Sequence, residues 1–289
     1  MNKSIDVLLP AQEIDMGGFP VKQALPTMQV NQIDPFLLLH HAKIKQTNNQ
    51  LAKHSGIGPH PHRGFSPVTF VIEGEVHHRD SRGHNQIAKK GEVQWMNAGA
   101  GIIHSERPSQ DLVEQEGTQE IIQLWINIPA AKKMLPPKYH FLSKEAITNF
   151  WSEDKKVKTK LVAGNYQNEN GNFKTESELL VLWSEGGQGG FEHFEIPSDF
   201  NTCIYVIKGQ ITVKGYGLVE AENLAVFSTE GTEINIEVKE DSSQFIVLAG
   251  LPLNEEIAQQ GPFVMNNQTQ IMEAMRDYRM GKMGVLIED

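Results

Sequence analysis

Pro67-Val68-Thr69-Phe70-Val71-Ile72-Glu73-Gly74-Glu75-Val76 joins a run of apolar and β-branched residues to a turn glycine and a returning strand. It reads as two antiparallel strands hinged at Gly74. The pattern returns as Thr202-Cys203-Ile204-Tyr205-Val206-Ile207-Lys208-Gly209-Gln210-Ile211. Further on, Lys90-Gly91-Glu92-Val93-Gln94-Trp95-Met96 is matched by Ala221-Glu222-Asn223-Leu224-Ala225-Val226-Phe227. Two copies, at a period far above the roughly 20–50 residues of stacked repeats, imply tandem duplication of one β-domain; chance likeness of two hairpins is the competing explanation. Other short apolar segments, Ile121 to Asn127, Leu179 to Trp183 and Phe245 to Leu248, are likewise bounded by turn residues. The expected class is all-β, two tandem sandwich or barrel domains, and 289 residues suffice for two cores.

The strand pattern breaks at Ala130-Ala131-Lys132-Lys133-Met134-Leu135-Pro136-Pro137, where the paired prolines favour an extended linker. The expected domains are therefore 1–135 and 136–289. Ile271, Met275 and Tyr278 recur at helical spacing after the N-cap candidates Asn267 and Thr269, and Gly281 can close the turn. This predicts a short packing helix near 268–280 in the second domain.

Hydrophobic residues make up 39% and charged residues 21% of the chain, the balance of a folded, turn-rich protein. No run approaches the ~20 apolar residues of a membrane span, and no signal-peptide pattern opens the sequence. Cys203 alone cannot form an intramolecular disulfide, which fits a reducing cytoplasm. The net charge of −10 and the lack of a dense Lys/Arg block argue against unaided nucleic-acid binding and would suit a basic protein partner. Lys132-Lys133 and Lys155-Lys156 read as solvated surface pairs.

Metal-binding chemistry concentrates in Gly58-Pro59-His60-Pro61-His62-Arg63-Gly64-Phe65 and Gly99-Ala100-Gly101-Ile102-Ile103-His104-Ser105-Glu106. Alternate strand residues share a face, so His60 pairs with His62 and His104 with Glu106. Pro61 lacks an N–H and places its segment at a sheet edge. Three imidazoles and a carboxylate without sulfur suit iron, manganese, nickel, cobalt or zinc. Neutral imidazoles and one carboxylate leave a divalent site at about +1, open to an anionic oxygen donor. A lone His-x-His is more often a surface feature or a satisfied core; the His-x-Glu pair is what favours a site. His40-His41, His54, His77-His78, His84, His140 and His193 lack such support and are expected to be hydrogen-bonded or solvated. In an ungapped match the second copy offers Glu195, Pro197, Asn235 and Glu237 instead. One metal per chain is the expectation.

These residues, together with Val93-Gln94-Trp95-Met96-Asn97-Ala98 before the second ligand pair, Gln123-Leu124-Trp125-Ile126-Asn127, Gly250-Leu251-Pro252-Leu253-Asn254-Glu255 and Gly261-Pro262-Phe263-Val264-Met265-Asn266, resemble the pirin family, a branch of the bicupins. The resemblance implies two cupin domains, with one metal, usually iron as Fe²⁺, in the N-terminal domain and none in the degenerate C-terminal domain. It makes His60, His62, His104 and Glu106 the ligands. It also implies either of two functions. One is quercetin 2,3-dioxygenase activity, in which a flavonol loses its 3-hydroxyl proton, Glu106 being the candidate base, and is opened by O₂ with release of carbon monoxide. Phe65, Trp95, Met96 and Trp125 could line a pocket for its flat rings, core packing being the competing role. The other is a non-enzymatic, transcription cofactor-like protein whose metal is structural or redox-sensing and which contacts a protein partner. A cupin enzyme for another small oxygen-donor substrate is a third reading. Ser66 departs from the acidic residue of many relatives, which puts an orienting role of that position in doubt, and His40-His41 replace a more acidic stretch.

Overall fold

The computed structural model describes residues 1–16, 18–48 and 51–288. Burial separates two kinds of strand. Phe65–Glu73 is buried along its length except at Glu73, because strands Thr118–Asn127 and Val93–Asn97 flank it and both its faces are covered. Glu75–Asp80 alternates half-buried and buried residues, the mark of one face on a core and one on solvent. Gly74 joins the two at φ 73°, a left-handed conformation that costs glycine little.

The chain divides into two compact units with interleaved segments. One holds Met1–Glu13, Lys22–Pro35 and Glu145–Leu253; the other holds Ile14–Val21, Phe36–Lys144 and Asn254–Asp289. A linear cut at 135/136 thus differs from the spatial grouping at both ends and at the join, where residues 136–144 stay with the unit that contains Phe36 and the other unit resumes at Glu145. Strand Ile5–Pro10 pairs with Asn223–Phe227. The expected helix forms as Gln268–Arg279, with the Asn267 side chain accepting from the Gln270 N–H at 3.0 Å. Its buried Ile271 and Ala274 pack with Ile103, Phe263 and Met265 of the unit that contains Phe36–Lys144. Helical periodicity reveals an apolar face, but not which domain covers it.

The unit containing Phe36–Lys144 places strands in the order Lys138–Leu142, Val93–Asn97, Phe65–Glu73, Thr118–Asn127, Phe36–Lys45 in one sheet. Its second sheet runs Ile57–His62, Ile102–Arg107, Glu75–Asp80, Asn85–Lys89. Ile57–His62 lies at the sheet edge, as Pro61 requires.

The other unit repeats this pairing order: Ile5–Pro10, Asn223–Phe227, Asn201–Lys208, Ser243–Gly250, Leu179–Gly186, and then Phe191–Glu195, Glu233–Val238, Gln210–Val213, Gly217–Glu220. Its turn glycine, Gly209, has φ 74°, the conformation of Gly74. Two units with the same sheets, the same order and the same turn are a duplicated domain. Among the described residues no helix is long and apolar enough to cross a membrane.

Candidate metal centre

Adjacent strands of the smaller sheet bring the histidines together. His60 and His104 are directly opposite in the antiparallel ladder, and His62 lies two residues along on the same face. Donor nitrogens of His60, His62 and His104 all fall within 4.8 Å of one another, the one group of its kind among the described residues.

The tautomer of His60 follows from its partner: Nδ1–H donates to the Gly58 carbonyl at 2.8 Å, so Nε2 carries the free lone pair. That Nε2 lies 3.0 Å from Nε2 of His104. Two nitrogens on adjacent octahedral corners, each about 2.1 Å from an ion, are separated by about 2.1 × √2, or about 3.0 Å. Nδ1 of His62 is buried without a hydrogen-bond partner.

Burial holds His62 and His104 well below the ordinary imidazole range, and the neighbouring imidazoles push the same way. Burial also lowers His60, with the Gly58 carbonyl and Glu106 opposing it. Neutral imidazoles are the state that metal ligation needs. The three residues can hold a metal.

Glu106 stands apart from that group. A register shift between His104 and Glu106 lies in the same strand. The carboxylate is buried and held on both oxygens: Thr69 Oγ1–H donates at 2.7 Å and Gln123 Nε2–H at 2.6 Å. Charge-assisted bonds of this length are strong. Below it opens a cavity of about 60 Å³, lined with Glu106 by Phe19, Ala42, Ile57, Val76 and Ile121.

Residues that the sequence left as ordinary histidines join the site. His78 is buried on the inward face of its alternating strand, with Nδ1 3.4 Å from Nδ1 of His104 and Nε2 3.2 Å from Asp80. Tyr139 stacks on it at 4.2 Å. Asp80 also accepts from His84 at 2.7 Å. Burial works against the Asp80 carboxylate, but its hydrogen bonds from His78, His84 and the Arg82 and His84 amides prevail and lower its pKa to about 2. Val76, His78 and Asp80 share a face, and that period-two pattern was the available signal. His40, opposite Gln123, is also buried, and burial lowers it to about 4. His41 is bonded to Glu120 at 3.0 Å, while His54, His140 and His193 lie at the surface.

Alternation sorts the remaining candidates. Phe65 and Trp125 pack ring to ring at 4.3 Å, and lie 5.1 and 5.4 Å from His62. Met96 packs with Tyr139. Trp95 is opposite Val68, so it faces away from the interior reached by Thr69 and Gln94. Ser66 likewise faces away, in a ladder continuous from Phe65 to Val71, and cannot orient a ligand. Lys133 is no solvated surface residue. It is buried, donates to the Gly64 carbonyl at 2.6 Å, the Asn127 side chain at 2.5 Å and the Val264 carbonyl at 3.2 Å, and is lowered by burial to about 8. Lys155 and Lys156 are exposed.

The duplicate supplies an internal control. Across the larger sheet, Gln94, Thr69, Gln123 and His40 form one inward row, and the corresponding row is Ala225, Ile204, Val247 and Leu182. In the smaller sheet, the pair His60 and His104 corresponds to Phe194 and Ile234, and the pair His78 and Glu106 to Val213 and Ile236. All the counterparts belong to one buried apolar core. The ungapped match to Glu195, Pro197, Asn235 and Glu237 was one residue out of register, and a slip of one exchanges the faces of a strand. Polar groups fill one interior and apolar groups the other.

The comparisons agree with this geometry. Residues 18–126 match the family model of pirin, and residues 187–284 that of the pirin C-terminal cupin domain. A Pseudomonas aeruginosa protein provisionally named a quercetin 2,3-dioxygenase is 35% identical over 266 residues, covering 92% of each chain. Pirin-1 of Arabidopsis thaliana is 32% identical, covering 97% of this chain and 94% of its own. A crystal structure of quercetin 2,3-dioxygenase from Acinetobacter baumannii is 35% identical and superposes with a TM-score of 0.90 over 99% of this chain and 100% of its own. On family match, identity over nearly the whole chain, and two cupin units of which one carries a histidine cluster, the chain belongs to the pirin family.

Proposed function

We propose that this protein is a dioxygenase of the quercetin 2,3-dioxygenase type, holding one Fe²⁺ ion with His60, His62, His104 and Glu106. The observation that carries this reading is the position of Glu106, a buried carboxylate set between neutral imidazoles and an apolar cavity, in the copy of the domain whose duplicate has Ile236 there. The relatives named for this activity support the same reading.

A bound divalent ion would supply Lewis acidity and a place for the deprotonated flavonol to meet O₂. The chain does the rest. Glu106 takes the 3-hydroxyl proton on a carboxylate oxygen, released from either Thr69 or Gln123. Phe19, Ile57 and Ile121 offer apolar contact to the rings and exclude water, and Phe65 and Trp125 brace His62. The single Cys203 is buried, and burial pushes its thiol up, which fits a protein of a reducing cytoplasm without thiol chemistry.

The test is anaerobic loading with Fe²⁺, Mn²⁺, Co²⁺ or Ni²⁺ in turn, then quercetin and O₂, following flavonol loss and carbon monoxide. Turnover above free metal that disappears in His62→Ala is expected. If no ion gives turnover, the catalytic reading is lost and the regulatory one, with a metal-dependent protein partner, takes its place.

A further inference from the structure

The outer face of the Ile102–Arg107 strand, opposite to the face that carries His104 and Glu106, borders a cavity of about 340 Å³. That volume is within the range of roughly 300–1,000 Å³ found for small-molecule sites. Arg107 is among its lining residues. Nη1 of Arg107 is taken by the Ser55 carbonyl at 2.8 Å, which leaves the Nε and Nη2 edge of the guanidinium as a fixed fork. The Glu288 carboxylate sits on that fork at 2.9 Å from Nε and 2.6 Å from Nη2. Burial opposes the charge on Glu288, but Arg107 foremost, then the Ser105 hydroxyl, with a smaller contribution from the Arg79 charge, prevail and lower its pKa.

Arg79 and Lys53 add positive charge to the walls, against Asp111, and Leu51, Ile87 and Pro108 supply an apolar side. A planar fork of two parallel N–H groups is the geometry that carboxylates match. The apolar wall asks for more than the carboxylate itself.

We propose that this cavity is a binding site for a small organic carboxylate with an apolar body, and that the Glu288 side chain is its tethered stand-in. A tethered carboxylate competes at an effective concentration on the order of millimolar, so the site is masked until a ligand exceeds it or the segment carrying Glu288 moves off. The site is independent of the metal and of the reaction proposed above.

The test titrates benzoate into full-length protein by calorimetry, metal-loaded and metal-free, with acetate and inorganic phosphate as the other probes. Glu288→Gln is expected to bind benzoate at least tenfold tighter than the unaltered chain, equally with and without metal. Arg107→Gln in that background is expected to lose the gain, and acetate and phosphate to bind at least tenfold more weakly. Ile87→Asp, on the apolar wall, tests the same cavity without touching the ion pair and should weaken benzoate tenfold. The proposal is overturned if Glu288→Gln leaves the affinity unchanged, if the Arg107 or Ile87 variant retains it, if phosphate binds as well as benzoate, or if binding needs the metal.

Discussion

Gln123→Leu separates two roles that Glu106 can play. In the structure the Glu106 carboxylate is held by Thr69 and Gln123 and lies outside the histidine group, so ligation requires it to leave at least one of these donors. A hydrogen bond to a charged group contributes about 1.5–3 kcal/mol. Without the 2.6 Å bond from Gln123, the metal-free protein should lose about 2 kcal/mol, or about 6 °C in the melting of this unit. A metal gives the freed oxygen another partner, so the loaded protein should lose less. By linkage the difference appears as affinity, with about 1.4 kcal/mol for each factor of ten. The variant should therefore bind metal about tenfold more tightly while being less stable without it. Competition against a chromophoric chelator, with Zn²⁺ in air and Fe²⁺ under anaerobic conditions, measures the first quantity, and thermal melting of the chelated protein the second. An unchanged Kd would mean that Glu106 stays on its clamp and does not ligate. A Kd weakened tenfold or more would mean that Gln123 orients a carboxylate already on the metal. Either result refutes the reasoning.

Metal analysis of the pure protein should give one ion per chain, and none after His62→Ala; two ions would discredit the assignment of the apolar interior as metal-free. His40 has its folded pKa, about 4, below the unfolded value near 6.5, so it contributes stability above pH ~6.5 that is lost as pH falls toward ~4. His40→Leu, the residue its counterpart Leu182 already is, should remove on the order of 3 kcal/mol of the fall in unfolding free energy over that window, measured by denaturant unfolding across pH, and an identical pH profile would contradict it. Phe19→Ala removes one of the apolar ring contacts and should lower kcat/KM for quercetin about fivefold, chiefly through KM, whereas a gain in activity would show that Phe19 obstructs the cavity rather than contacting substrate.

The fold was legible because its signals are local. Gly74 and Gly209 each end an apolar strand with a left-handed turn, and both turns form. His60-Pro61-His62 needs only the two-residue period and the missing proline N–H to be placed at an edge with one face inward. What the sequence could not carry was register between distant strands. The one-residue error that set Asn235 and Glu237 opposite His104 and Glu106 arises because strands of the two copies are joined by loops of unequal length. His78, Thr69, Gln123 and His40 were passed over for a related reason. Each comes from a different strand and lacks a second ligand at matching spacing, and only the sheets show that they share one interior with Glu106. The exchange of Ile5–Pro10 and the C-terminal helix between units is long-range packing, which no linear boundary records.

The two interiors also imply an order of unfolding. Fully burying a large apolar side chain contributes roughly 1.5–3 kcal/mol, and the unit with Leu182, Phe194, Ile204, Ile234, Ile236 and Val247 collects that term at positions where its duplicate holds His40, His60, Thr69, His104, Glu106 and Gln123. Summed over these positions the difference is on the order of 10 kcal/mol before hydrogen bonds offset part of it. Metal binding to a structural site can contribute a similar amount, about 10–16 kcal/mol in small zinc modules. Calorimetry of the metal-free protein should therefore show a lower transition from the histidine-bearing unit and a higher one from the apolar unit. Added metal should move the lower transition upward and leave the higher one in place, because among the described residues the histidine group lies wholly in one unit. A metal-free protein that melts in one step at the upper temperature would show that the polar interior is no weaker than the apolar one, and that its histidines and carboxylate are retained for packing rather than for an ion.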